Sequence, residues 1–161
     1  MPRPTLYLET TVPSYLVARP TRDIVVLAHQ EITREWWLRR REAFAICVSP
    51  VVLEEAALGD PERAQERLRL LTPYPVLSAS SEVEQLAATY LSELRLAERA
   101  IRDAAHLAFA CSYAIDYLLT WNCAHIANAE VRRQLSRLNA RLGIATPTIC
   151  TPEELLGEEV T

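Results

Sequence analysis

"IRDAAHLAFACSYAIDYLLTWN", residues 101–122, decides the fold. From Ala104 to Ala110 the stretch is nearly all apolar, so a helix here is expected to be buried. Asp116–Thr120 then has the length and apolar character of a strand enclosed on both faces. A buried helix that hands over directly to a buried strand is half of a βαβ unit.

The same alternation runs along the whole chain. Strands are expected over Thr5–Leu8, Ala43–Val48, Pro75–Leu77, Asp116–Thr120 and Pro147–Cys150. Helices are expected over Val12–Ala18, Arg22–Arg41, Pro50–Leu58, Pro61–Leu71, Ser81–Leu94, Glu98–Tyr113 and Ala129–Leu142. In the Arg22–Arg41 helix, Ile24, Ala28, Ile32 and Trp36 recur every four residues. Ser49 followed by Pro50 is a helix cap with proline at the first helical position. Gly59-Asp60-Pro61 closes that helix and opens the next. The pattern predicts an α/β fold, a parallel sheet with helices on both faces.

The bulk properties remove several functions. A chain of 161 residues is expected to form one domain, 1–161. No apolar run reaches the ~20 residues that span a bilayer. Met1-Pro2-Arg3-Pro4 leads straight into a strand without a signal-peptide core, so a cytoplasmic protein is expected. The four cysteines contain no C-x-x-C pair, which argues against a zinc knuckle or a redox motif. Cys123 lies near His125, but no activating geometry is legible there. Gly-rich phosphate loops are absent, so no nucleotide cofactor is expected. A net charge of −4 excludes a strongly basic nucleic-acid scaffold while allowing a local basic patch.

Ligands of parallel sheets bind outside the carboxyl ends of the strands. Glu9 ends the first strand, in "LYLETTVPSYL" (6–16), and Asn122 stands just past Asp116–Thr120. Glu54 and Glu55 lie in "SPVVLEEAALG" (49–59), where periodicity barely separates them. Asp103 shares a helical face with His106, Leu107 and Ala110. A carboxylate beside a buried surface is costly unless it is paired, for which Arg99 and Arg102 are candidates, or holds a metal. Glu9, Glu55, Asp103 and Asn122 together offer hard oxygen ligands from separate elements, a set suited to Mg²⁺ or Mn²⁺. A divalent cation relieves the repulsion among such carboxylates and can activate water against a phosphodiester.

Three stretches, in this order, resemble PIN-domain proteins, in particular the VapC-like toxins of toxin–antitoxin systems. "LYLETTVPSYL" is similar to the family's first strand with its acid and hydroxyls. "CVSPVVLEEAALGDPE" (47–62) is similar to the second strand and helix. "IRDAAHLAFACSYAIDYLLTWNCAHIAN" (101–128) resembles the later block, where a helical Asp precedes a strand ending in Thr-x-acid. The resemblance implies a PIN-like three-layer α/β/α fold around a central parallel five-stranded sheet. It also implies a Mg²⁺- or Mn²⁺-dependent endoribonuclease, with RNA as substrate and a small antitoxin protein as partner.

Carried over by position, the catalytic and metal-holding residues are Glu9, Glu55 and Asp103, with Asn122 where the family has a fourth acid. Glu55 is preferred to Glu54 because the family's acid falls six residues after a strand-ending Ser, here Ser49. Thr11 and Thr120 match supporting hydroxyls. Glu9 departs from the usual Asp and reaches about one C–C bond (~1.5 Å) further. Asn122 can ligate through its carbonyl oxygen but adds no charge. One protein-held ion is therefore expected, with a second arriving with RNA. The alternative is a catalytically weak or silent PIN-like module that binds RNA or a protein partner.

His106 is read as core or as a neighbour of the ligands, His125 and Asn128 as caps of the next helix, and Asp116 as a turn residue. "REWWLRRRE" (34–42) interleaves arginines with tryptophans. Trp36 is assigned to the core, and Arg39, Arg40 and Arg41 are candidate RNA contacts. Exposed apolar positions on the same helix offer a surface to a second copy, as a homodimer, or to an antitoxin.

Overall fold

The computed structural model describes residues 1–94, 96 and 100–157. Four strands form one parallel sheet: β1 (Thr5–Leu8), β2 (Ala45–Cys47), β3 (Tyr117–Leu119) and β4 (Thr148–Cys150), in the order β2-β1-β3-β4. Tyr7 pairs with Cys47 on one side and with Leu118 on the other. Leu6, Tyr7 and Leu8 are all fully buried. Successive strand residues point to opposite faces, so both faces of β1 are covered. That is why its sequence is a continuous apolar run.

Among the described residues the sheet has four strands, not the expected five. Pro75–Leu77 contributes one bridge, Val48 with Val76. Val48 N–H donates to Pro75 C=O (3.0 Å) and Leu77 N–H to Val48 C=O (2.8 Å). Pro73 and Pro75 bring no N–H to a ladder, and Val76 is exposed, so pairing stops at this edge.

The helices are α1 (Thr11–Val17), α2 (Ile24–Arg39), α3 (Pro50–Ala56), α4 (Pro61–Leu71), α5 (Ser81–Glu93), α6 (Ile101–Ser112) and α7 (Ala129–Leu142). Their ends follow side-chain caps. Asp23 accepts from the N–H groups of Val25 and Val26 and starts α2, two residues inside the expected boundary. Ser49 caps α3 and Asn128 caps α7. Gly143, at φ 70°, closes α7 in the left-handed conformation that glycine adopts without strain. Of the expected Glu98–Tyr113 helix, Glu98 and Arg99 lie outside the described residues. Within α6, Ala104 and the whole run from His106 to Cys111 are buried. Trp36 is buried in the same core, beside Phe44. Among the described residues no helix is long and apolar enough to cross a membrane.

From β1 the chain moves to one side of the sheet for β2, then to the other for β3 and β4. The order therefore reverses between β1 and β3, which opens a crevice at their carboxyl ends. Glu9 N–H extends the ladder by donating to Leu119 C=O at 3.1 Å, so Glu9 enters this crevice directly.

Candidate metal centre

Glu9 is only 3% exposed, and three donors meet its carboxylate. Thr11 N–H (3.0 Å), Thr11 Oγ1 (2.5 Å) and Thr120 Oγ1 (2.8 Å) all donate to Oε2. The hydroxyls have no choice of direction. Thr11 Oγ1 accepts from Trp121 N–H (2.8 Å) and Thr120 Oγ1 from Asn122 N–H (2.9 Å), so each commits its one proton to Glu9. These bonds pin the carboxylate through one oxygen.

Glu55 is pinned in the same way. Its Oε1 accepts from Thr10 Oγ1 (2.8 Å) and contacts His106 Nε2 (2.5 Å). Burial alone would raise its pKa, but the His106 bond and charge, the Thr10 bond and the charge of Arg102 outweigh it. The carboxyl is held below its ordinary range. Glu54, its neighbour, points to solvent. Helix α3, capped at Ser49, is what turns Glu55 inward.

Ligand atoms of Glu9, Glu55 and His106 lie within 4.8 Å of one another. Asp103 stands beside this set, not within it. Its Oδ1 accepts from Asn122 Nδ2 at 3.0 Å. Burial raises the Asp103 pKa, His106 and His125 oppose the rise, and Glu9 and Glu55 add to it. Asp103 is thus close enough to feel both glutamates. The Asn122 carbonyl oxygen accepts from His125 N–H at 3.0 Å, which leaves it one lone pair, while the amide Nδ2 donates to Asp103.

The cluster could hold a divalent ion: the carboxylates of Glu9 and Glu55 and the His106 ring lie together, Asp103 stands beside them, and the pinning bonds of each glutamate fall on a single oxygen. Closely placed acids raise each other's pKa, and a cation would remove that repulsion.

The arginines go elsewhere. Arg39 pairs with Glu35 at 2.5 Å, Arg40 lies over Phe44 and Arg41 over Trp37. Arg39 ends α2, and Arg40 and Arg41 follow it just before β2 begins, at the sheet edge where strands start; the acids sit where strands end. Asp116 binds Thr5 N–H (2.8 Å) and Thr5 Oγ1 (2.9 Å), joining the starts of β1 and β3. Asn128 caps α7, as expected, while His125 serves Asn122.

Sequence reasoning missed three features. Thr10, beside Thr11 in "ETT" (9–11), binds Glu55 and not Glu9. Tyr7 lies in the apolar run of the first strand, and its hydroxyl contacts His106 Nδ1 at 2.6 Å. Tyr15, His29 and Trp121 form an aromatic cluster beside Thr11, with His29 stacked on Trp121 at 4.0 Å. Only the fold brings those three together.

The fold has a solved counterpart. The crystal structure of VapBC2 from Rickettsia felis, bound to a DNA fragment from their promoter, matches with a TM-score of 0.53. The match covers 91% of this chain and 98% of that chain at 14% sequence identity, which makes it a likeness of fold. No family model matches the sequence, and no curated protein matches it.

Proposed function

We propose that this chain is a PIN-like endoribonuclease that depends on Mg²⁺ or Mn²⁺, and the toxin of a toxin–antitoxin pair. One observation carries the reading: Glu9 and Glu55, pinned by hydroxyls and a histidine, meet beside Asp103 at the crevice where strand order reverses. In this reading Glu9, Glu55 and Asp103 hold the ion. When bound, the ion supplies positive charge and acidifies a water for in-line attack on an RNA phosphodiester. Thr11 and Thr120 orient Glu9. Thr10 and His106 orient Glu55. Asn122 orients Asp103 through its amide N–H in place of a fourth acid.

The likeness to a VapBC structure supports a partner protein. Ile24, Val25 and Leu38 on α2 are all more than 60% exposed and would suit an antitoxin or a second copy of the chain. The RNA-contact role proposed for Arg39, Arg40 and Arg41 then belongs to RNA that reaches past the cleavage crevice. A second reading, a silent RNA- or protein-binding module, draws on Asn122, which withholds a negative charge.

The test is RNA cleavage by the purified chain with Mn²⁺ and with EDTA. Cleavage with Mn²⁺ that EDTA abolishes, and that Glu9→Gln removes, supports the nuclease. Mn²⁺ binding without cleavage supports the silent module.

A further inference from the structure

We propose that Ser49, Tyr7 and His106 form a positioning chain that fixes Glu55 as a metal ligand, although Tyr7 touches neither the ion nor the RNA. The inference rests on the reading of Glu55 as a metal-holding residue.

The links are short and continuous. Ser49 Oγ is 2.7 Å from Tyr7 Oη, Tyr7 Oη 2.6 Å from His106 Nδ1, and His106 Nε2 2.5 Å from Glu55 Oε1. One direction follows from the last link: an ionised carboxylate only accepts, so Nε2 carries a proton toward Glu55. With a neutral ring, Nδ1 accepts from Tyr7 and Tyr7 from Ser49; with a protonated ring, Nδ1 donates to Tyr7 and Tyr7 to Ser49, so the path is continuous in both forms. Ser49 keeps a lone pair for Val52 N–H, 3.4 Å away, in the first turn of α3.

The path closes on itself. Ser49 caps the helix that carries Glu55, and through Tyr7 and His106 the same serine reaches the Glu55 carboxylate. Helix α3 is held at its start by backbone and at its acid by side chains.

Ser49, Tyr7 and His106 are each fully buried. Apolar residues of similar size would build the same core without needing partners. Hydrogen bonds behind metal ligands set ligand orientation and basicity, and their loss weakens metal affinity about 10–100-fold. The competing arrangement is His106 as a direct nitrogen ligand, since its Nε2 lies within 4.8 Å of the glutamate oxygens.

The test is Mn²⁺ affinity, read from free Mn²⁺ by electron paramagnetic resonance, in the wild type, Tyr7→Phe and Tyr90→Phe. Tyr90 is the control: it is equally buried, and its hydroxyl donates to Asn139 Oδ1 (2.5 Å) on α7. The expected result is a loss of about 10-fold or more for Tyr7→Phe and none for Tyr90→Phe. Equal affinities in all three proteins, or equal losses in both variants, would overturn the positioning chain and leave the metal reading intact. A wild type that binds no Mn²⁺ would overturn both. Should Tyr7→Phe fail to fold, histidine nitrogen NMR of the wild type with saturating Mg²⁺ decides. Retention of the His106 Nε2 proton supports positioning; its loss to the ion overturns it.

Discussion

Thr120 Oγ1 donates to Glu9 Oε2 at 2.8 Å and ties the ends of β1 and β3 across 111 residues of sequence. The bond is fully buried at Thr120, and Asn122 N–H fixes the hydroxyl's direction. Two strands that already pair therefore also share a carboxylate. The crevice is built by the sheet and aimed by a hydroxyl.

Thr120→Val keeps the shape of that side chain and deletes the donor. Glu9 retains both Thr11 bonds, so the fold survives with a loss of about 1–3 kcal/mol. RNA cleavage is expected to fall about 10-fold. Thermal unfolding and single-turnover rates read the two effects separately; an unchanged rate would mean that Glu9 needs no third donor.

Asp103→Asn should stabilise the metal-free protein. Burial, with Glu9 and Glu55 nearby, raises the Asp103 pKa above its unfolded value. For such an acid the stabilising contribution is full below the unfolded value, near 3.9, and lost as pH rises through the folded one. The melting temperature of the variant is therefore expected to exceed that of the wild type increasingly as pH rises from acid to neutral in EDTA. A difference that shrinks over that range would contradict the sign.

Asn122→Asp would place a second carboxylate where an amide now donates, 3.0 Å from Asp103 Oδ1. Two acids at that distance repel, so the variant is expected to melt below the wild type in EDTA. Added Mn²⁺ should reverse the order and bind more tightly than in the wild type. Calorimetric titration checks this, and indifference to Mn²⁺ would place residue 122 outside the ion's reach.

Mn²⁺ binding itself should raise stability by mass action, by about 2.7 kcal/mol at 100 times its Kd. Glu55→Gln should abolish most of that gain and Glu54→Gln none, because Glu54 faces solvent. Melting curves with and without Mn²⁺ compare the pair. Equal behaviour of the two variants would remove Glu55 from the site.

Much of this arrangement is legible in the residues. The apolar run Leu6-Tyr7-Leu8 ending in Glu9 announces a buried strand whose acid meets a crevice, and the apolar run of α6 announces the helix beneath it. Pro75–Leu77 misled because its hydrophobicity suits a strand while its flanking prolines limit the ladder to one bridge. Tyr7 was hidden for a different reason: an aromatic in a buried strand looks like packing, and its hydroxyl acquires a role only when β2, α3 and α6 converge on it. Asn122 reads as a ligand by position; the turn that brings His125 N–H to its oxygen and its amide to Asp103 is not revealed by spacing alone.

The most direct measurement of the central claim is single-turnover cleavage of an unstructured RNA by the wild type and by Asp103→Asn, with Mn²⁺ and equal protein. The wild type is expected to cleave, and the variant to lose at least about 100-fold in rate while remaining folded. An Asp103→Asn protein that cleaves as fast as the wild type would contradict the assignment of this crevice as the nuclease centre.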